Sequence, residues 1–317
     1  MEPIRGIHHV SAITANAQKN LHFYTEILGM RLVKKTVNQD DPGMYHLFYA
    51  DERGNPGTDF TFFEIPNVGR TYPGSGSISL TSLRVGSDEA IDYWNERLHS
   101  FGIEADAPHT VFGRYTLSFR DFEGQRIRFV SDETETGTQG GVPWQESPVP
   151  QKYGILGLGP VHFTVKNPSK TGTVLTELLG FRNIGNYEED GQKITVYTVA
   201  SGGTGAEIHL NPGEDQPPEK PGRGSVHHVA LRVDTTKELH EWAKIVEKNG
   251  YPNSGVVERY YFQSLYFRES NGILIELATD GPGFEEDEPF ESLGEALSLP
   301  PYLENRRHEI ENKLNPL

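Results

Sequence analysis

Four times along the chain a run of alternating apolar residues gives way to a stretch whose apolar positions fall three and four apart. The alternating runs are IHHVSAI (7–13), SLTSLRV (79–85), PVHFTV (160–165) and VHHVALRV (226–233). Period two predicts a strand, and the wider spacing that follows predicts an amphipathic helix. After the first run, Asn16 stands where a helix N-cap belongs, Leu21, Tyr24 and Leu28 share one face, and Gly29 occupies the left-handed C-cap position. Gly102 in HSFGI, Gly180 in ELLGF and Gly250 in EKNGY close the other three helical stretches. Each unit then ends in alternating sequence broken by turn signals, as in YHLFYADERGNPGTDFTFFEIP and SLYFRESNGILIEL. The repeating unit is therefore βαβββ, written four times, and the fold class is α+β.

Between the second and third units lies DETETGTQGGVPWQESPVPQ, whose Gly, Pro, Thr and Glu content suits an exposed connection. It divides the chain into an N-terminal domain at 1–135, a linker at 136–153 and a C-terminal domain at 154–281, with two modules in each domain. An acidic, proline-containing tail with a terminal helix over ENRRHEIENKL is expected at 282–317.

Charge and composition narrow the chemistry. With 29 basic and 45 acidic residues the formal net charge is -16, which disfavours nucleic acid and anionic membrane as partners. The absence of cysteine excludes disulfides, thiolate nucleophiles and cysteine-ligated metal sites, so any metal must use His, Asp or Glu. The segment MEPIRGIHHVSAI lacks a long apolar core, and no run of about 18 apolar residues occurs, so a cytoplasmic protein without a membrane partner is expected.

Strand parity selects the candidate metal ligands. A strand that packs a helix on one face and lines a cavity on the other carries its chemistry between its apolar positions. In VHHVALRV, Val229, Leu231 and Val233 share a face with His227, leaving His228, Ala230 and Arg232 on the other. In IHHVSAI, Val10 and Ala12 go with His8, leaving His9, Ser11 and Ile13 toward the cavity. In the last strand Ile273, Ile275 and Leu277 alternate with Leu274 and Glu276, which aims a carboxylate the same way. A bare carboxylate within ILIEL would be costly, and a cation is its most economical partner. Two imidazoles and one carboxylate on one side of a divalent ion leave about three positions open, the arrangement associated with Fe(II) and oxygen chemistry.

The βαβββ repeat with these HHV strands resembles the vicinal-oxygen-chelate superfamily, which includes glyoxalases, fosfomycin-resistance proteins and extradiol dioxygenases. The resemblance covers nearly the whole chain and implies two pseudo-symmetric domains with cupped mixed sheets. Within it, GIHHVSAITANAQKNLHFYTEILGMRLVKKTVNQDDPGMYHLFYADERGNPGT, GSVHHVAL and ERYYFQSLYFRESNGILIEL are similar to the hydroquinone-cleaving branch of ring-cleaving dioxygenases. That branch implies Fe(II) held by His9, His228 and Glu276, with Zn, Mn or Ni as alternative ions. It also implies pocket or supporting roles for His8, Ser11, His227, Arg259 and Tyr266. Catechol-type relatives instead resemble a layout in which units three and four share the metal, giving His162, His228 and Glu276; His9 is preferred over His162 because the sequence around it matches the hydroquinone-cleaving branch better and its HHV run is intact. Glu64, at the end of unit one, is a further carboxylate candidate.

The expected function is Fe(II)-dependent, extradiol-type cleavage of a hydroquinone or catechol with insertion of both atoms of O2. The partners are then a small aromatic substrate and O2, with a homo-oligomer as the expected assembly. Two other readings use the same scaffold: a metal-dependent lyase or isomerase of glyoxalase type, for which Glu64 would supply a second carboxylate, and a non-enzymatic binder of aromatic or quinone toxins.

Overall fold

The computed structural model describes residues 3–134 and 136–317; residues 1, 2 and 135, the last of which ends the first expected domain, lie outside the described residues. Sixteen strands fall into four βαβββ modules among the described residues. The first has β1 (Ile7–Thr14), α1 (Ala17–His22), β2 (Arg31–Val37), β3 (Tyr45–Ala50) and β4 (Asp59–Glu64). The second has β5 (Ser77–Val85), α2 (Asp88–Ser100), β6 (His109–Val111), β7 (Arg114–Arg120) and β8 (Arg126–Ser131). The third has β9 (Ile155–Val165), α3 (Pro168–Thr173), β10 (Arg182–Glu189), β11 (Gln192–Thr198) and β12 (Glu207–Pro212). The fourth has β13 (Val226–Val233), α4 (Thr236–Lys248), β14 (Asn253–Glu258), β15 (Gln263–Arg268) and β16 (Leu274–Thr279).

The helix punctuation is as the sequence implies. Asn16 accepts a hydrogen bond from the Lys19 amide, and Gly29, Gly102, Gly180 and Gly250 all take the left-handed conformation, with φ between 69° and 83°. One feature differs: α1 and α3 each run on into a π-helical turn, at Phe23–Ile27 and Val174–Leu178.

The modules pair across the chain. One eight-stranded mixed sheet has the order β14-β15-β16-β13-β1-β4-β3-β2, and the other β10-β11-β12-β9-β5-β8-β7-β6. The first therefore joins modules four and one through antiparallel β1 and β13, and the second joins modules three and two through antiparallel β5 and β9. Each sheet takes strands from both sides of the connection at 136–153. On the helix-facing side of the first sheet, Val10, Ala12, Phe60, Phe62, Val229, Leu231, Ile275 and Leu277 are buried in one core with Tyr24, Leu28, Leu239 and Trp242 of the helical segments. A one-residue slip of any strand would exchange its apolar set for the polar face, losing roughly 1.5–3 kcal/mol per large side chain, so the register is firmly set.

The tail docks on β2. The Lys34 ammonium is fully buried between Asp287, at 2.6 Å, and Glu288, and Tyr261 donates to the second oxygen of Asp287 at 2.9 Å. The expected terminal helix is shorter than its sequence pattern: a 3-10 turn at Glu304–Arg306 leads into only Arg307–Glu311. Its ion pairs are exposed and weakly stabilising, and Ile310 and Leu314 are its buried apolar anchors, which holds little more than one turn.

Candidate metal centre

Strand register brings three distant side chains around one small residue. Ala230 on β13 is the register partner of His9 on β1 and also of Glu276 on β16, while His228 precedes it by two residues on the same strand face. Ala230 is completely buried, and its methyl leaves the space that the larger side chains converge upon. His9 Nε2 lies 3.2 Å from His228 Nε2 and 3.2 Å from Glu276 Oε2, and His228 Nε2 lies 2.8 Å from that oxygen. These three residues are buried and form the cluster of metal-ligand type found among the described residues.

The atoms fit a shared cation. A divalent first-row ion about 2.1 Å from each of three mutually perpendicular ligand atoms sets those atoms about 3.0 Å apart. Glu276 Oε2 is enclosed and has no hydrogen-bond donor properly aligned with it, although two imidazole nitrogens surround it. Its partner oxygen Oε1 is held by Ser264, whose hydroxyl donates at 2.5 Å. Burial alone would push the Glu276 carboxyl up, but the adjacent imidazoles of His9 and His228 pull it well below the usual carboxylate range, so it faces them as an anion. Burial likewise lowers His228 below the usual histidine value.

Hydrogen-bond arithmetic fixes the tautomer of His9. His8 Nε2 faces the Thr279 carbonyl at 3.1 Å and must donate to it. Burial, helped by His9, brings the His8 pKa down to about 3, so the ring is neutral and its Nδ1 can only accept. The partner of that nitrogen is His9 Nδ1 at 3.0 Å, which therefore carries a proton and directs His9 Nε2 toward Glu276. On the other strand His228 Nδ1 is bonded in the same way to His227 Nδ1 at 2.8 Å.

The cluster opens into a cavity of about 310 Å³ walled by apolar side chains such as Ile13, Phe48, Phe63 and Leu274. His227, Tyr266 and Arg259 line it; the Tyr266 ring lies 5.7 Å from that of His228, and the Arg259 guanidinium stacks 5.5 Å from the centre of the Tyr266 ring. Arg259 is also bidentate to Asp40 at 3.0 and 3.2 Å. Burial, reinforced by the Glu276 charge, keeps the Tyr266 phenol protonated well above its usual range. His8 packs behind His9 against Phe262, and Ser11 lies beneath the cavity with its hydroxyl 2.8 Å from that of Thr61. His227, grouped by parity with the helix-facing residues, is exposed at the cavity edge because it stands at the start of β13, before the strand is covered.

Sequence reasoning passed over Ser264, Thr61 and His46. Ser264 and Tyr266 alternate on β15, so the parity that found Glu276 also points to Ser264. His46 and Phe48 alternate on β3 in the same way, and His46 lies in the cavity wall with its Nε2 2.9 Å from the Thr61 hydroxyl.

The second sheet forms a cup of different character. His162 lies beside His209 there, with ring centroids 4.7 Å apart, and neither meets His228. Arg114 is bidentate to Glu207 at 2.7 and 2.8 Å, Arg128 pairs with Glu189 at 2.7 Å, and His209 bridges Glu207 and the Tyr187 hydroxyl. That cup carries its own ion pairs. Glu64 faces the helix side of β4, where its carboxylate accepts from the Ala17 amide at the start of α1, 2.9 Å away, and so takes no part in the cavity.

Comparison with known proteins agrees with this architecture. Residues 6–129 and 157–277 match the family described as Glyoxalase/Bleomycin resistance protein/Dioxygenase superfamily. The chain is 51% identical over 315 residues, 99% of both chains, to the Bacillus subtilis (strain 168) protein named "Putative ring-cleaving dioxygenase MhqA". It is 29% identical over 325 residues to the chlorohydroquinone/hydroquinone 1,2-dioxygenase of Sphingobium indicum, covering 99% of this chain and 97% of that one. A crystal structure of a "putative dioxygenase" from Bacillus subtilis subsp. subtilis str. 168 superposes with a TM-score of 0.91 at 35% identity, covering 100% of this chain and 98% of the other.

Proposed function

From a chain that belongs to the glyoxalase/bleomycin resistance protein/dioxygenase superfamily, we propose a metal-dependent ring-cleaving dioxygenase that opens a hydroquinone or catechol with both atoms of O2. The observation that carries this reading is the convergence of His9 Nε2, His228 Nε2 and Glu276 Oε2 within 3.2 Å of one another at the floor of an apolar cavity. The proposed ligands are these three side chains and the proposed ion is Fe(II), which when bound supplies open positions for a phenolic oxygen and for O2 and a path for electrons between them.

The protein's own groups do the rest. Ile13, Phe48, Phe63 and Leu274 bury an aromatic ring and keep bulk water from it. Tyr266, held protonated, is a hydrogen-bond donor to an oxygen on the ring edge, and Arg259 is a fixed positive charge for an anionic ring or oxygen species at the cavity mouth. His227, with its Nδ1 against His228, is placed to carry a proton between the substrate and the cavity edge. His8 and Ser264 orient the proposed ligands. The lyase reading loses support because Glu64 points away from the cavity.

The test is anaerobic loading with Fe(II) followed by oxygen-electrode assays on hydroquinones and catechols. His9→Ala is expected to lose bound iron and oxygen uptake, and His162→Ala to keep both. Loss in His162→Ala alone, or no uptake by the parent protein with any such substrate, would refute the assignment.

A further inference from the structure

His46 sits on β3, two strands away from β1 along the order β1-β4-β3; its register partner on β4 is Phe63, which in turn pairs with Ile13, so His46 lies level with a position four residues beyond the proposed metal ligand His9. Its imidazole is clamped between the rings of Phe48 and Phe63, each with its centroid 4.0 Å away, so its plane and direction are fixed. One nitrogen, Nε2, is bonded to the Thr61 hydroxyl at 2.9 Å, and that hydroxyl is bonded to Ser11 Oγ at 2.8 Å.

The order of protons along this chain has one satisfactory solution. Burial, assisted by His9 and His228, holds His46 well below the usual histidine pKa, so the ring carries a single N–H. If that hydrogen were on Nε2, Thr61 would accept it and donate to Ser11, and the Ser11 hydroxyl, completely buried, would have no acceptor among the described residues. An unsatisfied buried donor of that kind is strongly disfavoured. If instead Ser11 donates to Thr61 and Thr61 donates to His46 Nε2, every hydroxyl hydrogen is used, and His46 carries its proton on Nδ1. No acceptor among the described residues faces Nδ1, and the residue lines the cavity.

We propose that His46 Nδ1–H is the donor that recognises the oxygen at the far end of the substrate ring, so that the cavity selects rings with oxygens in para relation. In this arrangement an aromatic ring in the cavity that His9, His228 and His46 line would turn one oxygen toward His9, His228 and Glu276 and the opposite oxygen toward Nδ1. The Ser11–Thr61 pair acts through His46 by fixing its tautomer. This inference rests on the ring-cleavage reading for the identity of the ligand class, and narrows it from hydroquinone or catechol to hydroquinone.

Binding separates the two. Dissociation constants for hydroquinone and for 4-methylphenol, which has the same outline without the second oxygen, are measured under argon with metal-free and Fe(II)-loaded protein. The parent protein is expected to prefer hydroquinone about tenfold, the effect of one hydrogen bond. In His46→Phe, which keeps the aromatic stack, the ratio should fall to near one. His46→Asn, whose amide nitrogen can take the place of Nδ1, should keep a several-fold preference, whereas His46→Gln, whose amide reaches the Nε2 position, should not. A merely structural histidine would weaken both ligands equally and leave the ratio unchanged. An unchanged ratio in His46→Phe, a parent protein without the preference, or retention by Gln in place of Asn overturns the proposal. Oxygen uptake by the parent protein is scored separately: its absence counts against ring cleavage without altering what the binding ratio says of His46.

Discussion

Ser264 and Ala230 lie next to the converging atoms without belonging to them, and each makes a separable demand on the site. Ser264 holds Glu276 Oε1 so that Oε2 turns toward the imidazoles. Ser264→Ala removes that hold and leaves the fold intact, and Fe(II) affinity measured against a competing chelator is expected to drop by about 10- to 100-fold. Ala230→Leu leaves all proposed ligands in place but fills the space they converge upon, so metal uptake should vanish while circular dichroism stays native. Parity alone put His9, His228 and Glu276 on the cavity-facing side of their own strands, because alternation is a local property of each strand. The carboxylate's hydroxyl partner was equally accessible to that logic, whereas the size of Ala230 acquires meaning only once three strands are in register.

At the scale of elements, the turn between β7 and β8 braces the first module. Glu123 accepts from the Thr14 hydroxyl at 2.6 Å and the Ala15 amide at 3.1 Å, and Asp121 accepts from the Tyr24 hydroxyl at 3.2 Å. Burial holds the Asp121 carboxyl up at about 6, against an ordinary value of 3.8. Between those values the unfolded chain has released this proton while the folded chain keeps it, so this group's contribution favours folding at the acid end and is lost as the pH rises through the window. Asp121→Asn should flatten that part of the stability profile, read as melting temperature against pH from about 4 to 6. Strands and glycine-capped helices were legible because their periods and end signals are local. The π-helical turns at Phe23–Ile27 and Val174–Leu178 were not, since Leu21, Tyr24 and Leu28 keep the spacing of an ordinary helix.

For the molecule as a whole, the pairing of module one with module four was hidden from the sequence. Every module has a similar first strand, and nothing local states which two first strands meet; that is why strand parity alone could not separate His9 from His162 before the sheet order was known. The tail closes the same sheet from outside through Lys34. Lys34→Met leaves the Asp287 and Glu288 carboxylates facing an apolar group and is expected to lower stability by about 3 kcal/mol in urea unfolding, with earlier proteolysis after residue 283. The cross-chain pairing also has a consequence in time. His228 follows His9 by 219 residues. On a ribosome adding about 5–20 residues each second, the open edge of β1 waits roughly 10 to 45 s for its partner. Throughout that interval the nascent chain exposes an unpaired strand edge, open to pairing with other chains, and the cluster of His9, His228 and Glu276 can assemble only near the end of translation.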